Sequence, residues 1–248
     1  MKKLLLAVFS VLWVIGLSHP VSASPYTYKK APGSFSYSSY SIVNGVNVDI
    51  YNSKGGLISS GLAGEAALAG TGANAGKTLY SFCVDIFDSL QNRDTLTKPT
   101  SITDSRITGA NLNQAVLNQI SALIANAYAK IGTSADVYKS GNRTYSKVLS
   151  AATQVAIWTV EYAGLGYTFK SSSSAVNDLA TSLVKTFSQS NGVPGLTVLA
   201  HAGNQSQAFL VPEPTAIVLI LSAFGGVLLM RWRRARQQRA LPPVLSLP

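Results

Sequence analysis

The sequence predicts an α+β fold: a β-sandwich or barrel-like domain with an inserted helical subdomain, flanked by a signal peptide and a C-terminal transmembrane helix. Three observations predict it. Strand-like alternation opens and closes the middle of the chain, helical periodicity occupies residues 111–188 between, and each end joins an apolar run to basic residues. In chain order, this divides the 248 residues into a signal peptide (1–23), a polar leader (24–34), a domain (35–211), a membrane-proximal signal (212–240) with its span at 215–232, and a tail (241–248).

The N-terminal segment has Lys2 and Lys3, an apolar stretch over residues 4–17, and Val21-Ser22-Ala23. A basic start, a short apolar run and small residues are what a signal peptidase reads, so cleavage is expected after Ala23. The mature chain is then exported, and its thiol lies outside the reducing cytosol.

Within the domain, Phe35 and Tyr37 alternate with Ser, and Val46, Val48 and Ile50 alternate again after Asn44-Gly45. That spacing predicts a hairpin turning at Asn44-Gly45. Residues 54–77 are rich in Gly and Ala and are read as strands with long turns. Residues 79–90 (LYSFCVDIFDSL) are strand-like around Cys83. Val116, Ile120, Leu123, Ile124, Ala127 and Ile131 mark a first helix. Residues 146–162 are apolar nearly all round, as in a buried helix. Val176, Leu179, Ala180, Leu183, Val184 and Phe187 mark a third, amphipathic one. Residues 196–200 and 209–211 form a closing hairpin around His201-Ala202-Gly203-Asn204.

The formal charge of +10 is misleading as a sign of nucleic-acid binding, because much of it sits at the ends. Between Ser24 and Pro212 there are 13 Lys and Arg against 9 Asp and Glu, leaving +4. No nucleic-acid partner is expected. One Cys excludes an intramolecular disulfide, and two His leave no Cys/His zinc site, so neither a metal nor a cofactor is expected. Asp85, Asp88 and Asp94 lack the spacing of a calcium loop. Asn142 and Asn204 each begin a glycosylation sequon, a weak signal on three residues alone.

The C-terminal region has Val211-Pro212-Glu213-Pro214, an apolar run over residues 215–230, and the basic segment RWRRARQQR with Arg231, Arg233, Arg234 and Arg236. As a helix the run covers about 24 Å, short for a hydrocarbon core of about 30 Å unless Trp232 and snorkelling arginines extend it. The arginines place that end in the cytoplasm. The combination resembles the PEP-CTERM sorting signal of Gram-negative bacteria. The resemblance implies an exosortase as partner, anchoring in the inner membrane before processing, and delivery to the cell surface or extracellular matrix. The tail from 241 to 248 departs from that pattern.

Two residues stand out in the domain. Cys83 is an odd cysteine in an exported chain, flagged as a dimerising or a reactive thiol. Gln154 is an amide in a greasy helix, and a buried amide is costly unless its oxygen and both N–H groups find partners. Thr153-Gln154-Val155-Ala156, extended by Ile157-Trp158, resembles the TQxA signature of bacterial thioester domains, and Phe82-Cys83-Val84-Asp85 resembles their cysteine context. The resemblance implies a thioester joining Cys83 and Gln154, with Asp85, Thr153, Ala156, Ile157 and Trp158 around it. Asp85 is expected to share a strand face with Cys83 and to orient the Gln154 amide or a leaving ammonia.

Such a bond is a single-turnover electrophile toward amines, not an enzyme active site. The expected target is an amine-bearing surface protein or matrix polysaccharide. Two other functions remain open from the sequence: a non-reactive structural component of a polysaccharide matrix, and a cysteine hydrolase using His201, for which no supporting motif is present.

Overall fold

The structure is a computed structural model that describes residues 33–99, 112–131 and 147–211. The proposed signal peptide with Ala23, the leader up to residue 32, Pro212, Glu213, Pro214 and the four arginines lie outside the described residues. Asn142 and the span at 215–232 lie outside them too. Among the described residues no helix is long and apolar enough to cross a membrane.

Among the described residues, seven strands and three α-helices follow in order. They are β1 (Ser34–Tyr51), β2 (Leu57–Gly70), β3 (Thr78–Cys83), β4 (Asp94–Thr97), α1 (Gln114–Ile131), α2 (Lys147–Glu161), β5 (Thr168–Ser171), α3 (Ser174–Phe187), β6 (Leu196–His201) and β7 (Asn204–Leu210). The strand order is β2-β3-β7-β6-β4-β1-β5, with β1 also paired to β2. Six antiparallel strands therefore close on themselves as a barrel, and β5 extends β1 beyond the ring. Closure removes sheet edges that would otherwise be open. The barrel-like α+β expectation holds, with α1 and α2 entering between β4 and β5, and α3 between β5 and β6.

The hairpin expected at Asn44-Gly45 is not there. β1 runs straight through both residues and pairs with β2 on either side of a register shift between Val43 and Val46. Gly45 serves a bulge instead: a Cβ there would lie 2.9 Å from Ile42 Cγ2 and 3.2 Å from Leu62 Cβ. The turn falls at residues 52–56. The Asn52 side chain accepts from the N–H groups of Lys54 and Gly56, both at 3.0 Å, and Gly55 takes φ +76°. The closing hairpin does form where expected, with Gly203 at φ +74°.

The helices cover one flank of the barrel. From Leu149 to Trp158 every residue of α2 is buried. α3 buries only Val176, Ala180 and Leu183 among its residues, at helical spacing. α1 packs through Tyr128, whose hydroxyl donates to the Tyr80 carbonyl at 3.1 Å and whose ring lies 6.4 Å from that of Phe82.

Candidate functional site

The site forms where β2 and β3 part. β2 pairs with β3 only as far as Ser81, while on the other side Phe82 and Cys83 pair with Ala208 and Gln207 of β7. Cys83 thus has a main-chain N–H and C=O with no strand opposite them. Helix α2 fills that gap. Its Ser150 hydroxyl accepts from the Glu65 N–H of β2 at 2.9 Å. One turn on, Gln154 completes β3: its Oε1 accepts from the Cys83 N–H at 2.9 Å and its Nε2 donates to the Cys83 carbonyl at 2.7 Å. A side-chain amide here imitates the neighbouring strand. The need for partners read from the sequence at Gln154 is met by the main chain of Cys83.

Because those main-chain groups face Gln154, Cys83 and Gln207 form a non-hydrogen-bonded pair across β3 and β7. The adjoining main-chain bond runs from Val84 N–H to Ser206 C=O at 3.0 Å. Side chains approach most closely at such pairs. The Gln207 Nε2 lies 3.2 Å from the Cys83 sulfur. The Ser81 hydroxyl, on the same face of β3, donates to Gln207 Oε1 at 2.8 Å. Ser81, Gln154 and Gln207 are fully buried, and Cys83 is 4% exposed. Burial pushes the Cys83 thiol up to about 12, with the Gln207 contact lowering it and the nearby Asp85 and Glu161 raising it.

This geometry differs from the sequence expectation at two residues. The amide beside the sulfur belongs to Gln207, whereas Gln154 grips the backbone around it. Asp85 lies past the end of β3, which stops at Cys83, rather than on the strand beside it. Its Oδ1 accepts from the Phe87 N–H at 2.8 Å and from the Asp88 N–H at 3.4 Å, tying down the turn that follows the strand. The other expected neighbours are all buried: Thr153, Ala156, Ile157 and Trp158. The Trp158 ring sits 5.8 Å from that of Phe169, and together with Tyr162, Tyr167 and Phe87 they form an aromatic cluster whose outermost member, Phe87, is half exposed.

Sequence reading missed Gln207, Ser81 and Glu161. Glu161 is fully buried two turns beyond Gln154, on the same helix face, with neither carboxyl oxygen hydrogen-bonded. Desolvation, then Asp85, holds its carboxyl well above the usual carboxylate range. The next residue, Tyr162, accepts the Ile86 N–H at 3.2 Å, which fixes this end of α2 against the segment after Cys83.

Residues 80–189 match the family model "TED: Thioester domain". The thioester-domain match takes in Cys83 and Gln154 and stops before β6 and β7, so the case for Gln207 is geometric. Among solved structures, the Bacillus anthracis TIE protein is similar at 15% identity and a TM-score of 0.33, over 66% of this chain and 25% of that one. This chain thus spans about a quarter of that protein's length. No curated protein matches.

Asn204, His201 and Val211 lie on or beside β6 and β7. Asn204 is buried, donates to the Tyr37 hydroxyl at 2.8 Å and to Asp94 Oδ2, and accepts the Gln91 N–H at 3.1 Å. Its side chain is therefore enclosed, unlike a glycosylated surface Asn. His201, half exposed on the hairpin, has its Nδ1 3.0 Å from Asp94 Oδ2. The Val211 N–H donates to Gly195 C=O at 2.9 Å, which carries the β6–β7 pairing one residue past Leu210.

Proposed function

We propose that this chain is an exported surface or matrix protein that attaches covalently to amine-bearing targets through an internal thioester between Cys83 and Gln207. The observation that carries the reading is the approach of the Cys83 sulfur and the Gln207 amide, 3.2 Å apart on a closely spaced cross-strand pair. The thioester-domain match over residues 80–189 supports it. Sulfur joins the side-chain carbonyl carbon, ammonia leaves, and an amine later takes the place of sulfur. Holding nucleophile and carbonyl together provides the effective concentration that this difficult step needs. Each chain reacts once, so this is not a turnover enzyme.

Export by the N-terminal signal, exosortase processing near Val211-Pro212-Glu213-Pro214 and transient anchoring through residues 215–232 complete the proposal. They rest on the sequence alone.

One observation favours the second reading, a non-reactive matrix component. Burial holds the thiol at about 12, which leaves little thiolate at neutral pH. Intact mass of the chain, purified without primary amines, separates the two. A deficit of one ammonia, converted by methylamine into an adduct with a free thiol, supports the thioester. A full mass with no methylamine uptake leaves the matrix-component reading.

A further inference from the structure

We propose that Ser81 is a catalytic residue of this centre, the hydrogen-bond donor that stabilises the oxyanion formed whenever the Gln207 carbonyl is attacked. The inference rests on the thioester reading and adds a residue that neither the cysteine context nor the TQxA signature includes.

The geometry is direct. Ser81 and Cys83 lie two apart on β3, so both side chains emerge on one face toward Gln207. One presents a sulfur to the amide and the other a hydroxyl to its oxygen, at 3.2 and 2.8 Å. The amide orientation is fixed independently, because Gln207 Nε2 also donates to the Gln205 carbonyl at 3.3 Å, which leaves Oε1 for Ser81. All this occurs away from water, with Ser81 and Gln207 fully buried. A preorganised donor is worth most in such surroundings, since no solvent competes for the developing charge.

The chemistry balances without a further reactant. In closure, Cys83 Sγ bonds to the Gln207 Cδ and the carbonyl electron pair moves onto Oε1, where the Ser81 O–H holds it. The pair returns, the Cδ–Nε2 bond breaks, and ammonia leaves carrying the thiol proton. In opening, an amine nitrogen bonds to the same Cδ, and charge again develops on Oε1. The Cδ–S bond then breaks and sulfur takes a proton from the amine. Nothing is oxidised or reduced. Because the same oxygen carries charge in both directions, one donor serves both.

The test compares the wild-type chain with Ser81→Ala, following closure by loss of ammonia in intact mass and opening by methylamine uptake. Ser81→Ala should slow both steps by about 100-fold, the usual loss for one oxyanion donor. It should also shift the thioester carbonyl stretch to higher frequency, a signature that a merely structural role would not move. Ser81→Thr and Ser81→Val provide a second comparison at matched size. The Thr chain should react faster than the Val chain, and this pair decides the matter if the Ala chain does not fold. Wild-type rates with an unshifted stretch in Ser81→Ala, or equal rates for Thr and Val, would overturn the role of Ser81. A wild-type chain that never loses ammonia would instead overturn the thioester reading itself.

Discussion

Two buried glutamines flank Cys83, and they do different work. Gln154 comes from a helix and meets the cysteine from the side that β2 has vacated, where both ends of its amide bind main chain. Gln207 comes from the strand paired on the other side and meets the side chain, its nitrogen on sulfur and its oxygen on a serine. The same functional group is structural in one place and a candidate reactant in the other. What separates them is the direction of the strand: main-chain groups point along the sheet, and side chains stand out of it. A helix abutting a strand edge therefore reaches backbone, and a cross-strand partner reaches the side chain.

Substitutions can break this comparison, and the largest expected effect is all-or-none. Gln207→Ala should abolish both the loss of ammonia and methylamine uptake while the chain stays folded. Gln154→Ala should act on stability first. It leaves the N–H and C=O of Cys83 buried without partners, at about 1–3 kcal/mol for each group, so about 2–6 kcal/mol in all. Urea unfolding measures that loss. Chains that still fold should close the thioester, more slowly because Cys83 is less firmly held.

A smaller effect is expected at the start of β7. Asn204→Ala removes the anchor shared by Tyr37, Asp94 and Gln91, and should cost about 1–3 kcal/mol in the same unfolding experiment. Gln207 sits three residues on, but its pairing with Cys83 is independent of these bonds. Thioester yield should therefore survive.

Much of this was legible in the sequence. The helices were, because α2 is apolar nearly all round and α3 repeats Val176, Ala180 and Leu183 at helical spacing. The barrel was legible as strands around a helical insertion. The Asn44-Gly45 turn misled because a bulge and a tight turn draw on the same small residues. Gln154 was conspicuous as an amide among apolar neighbours. Gln207 was not, since Asn204-Gln205-Ser206-Gln207 reads as the wet end of a strand. Closure of the barrel buries Asn204, Ser206 and Gln207, and that closure depends on pairings across the whole chain. Glu161 was unreadable for a similar reason: a Glu closing a helix normally faces water.

That glutamate supplies the subtlest prediction. Folding raises its pKa, so the folded chain keeps a proton that the unfolded chain releases near pH 4.3 or so, about the ordinary Glu value. The stability it contributes is full below that pH and is lost as pH rises through the folded value. Glu161→Gln removes the titration. Its melting temperature should exceed that of the wild type at about pH 8, and the gap should narrow at about pH 4.

The most direct test of the central claim is to locate the label after methylamine opening, by fragmenting the peptides of the reacted chain. The account predicts a methylamide on Gln207, a free thiol on Cys83 and an unmodified Gln154. A methylamide on Gln154 would contradict it and restore the pairing that the sequence alone suggested.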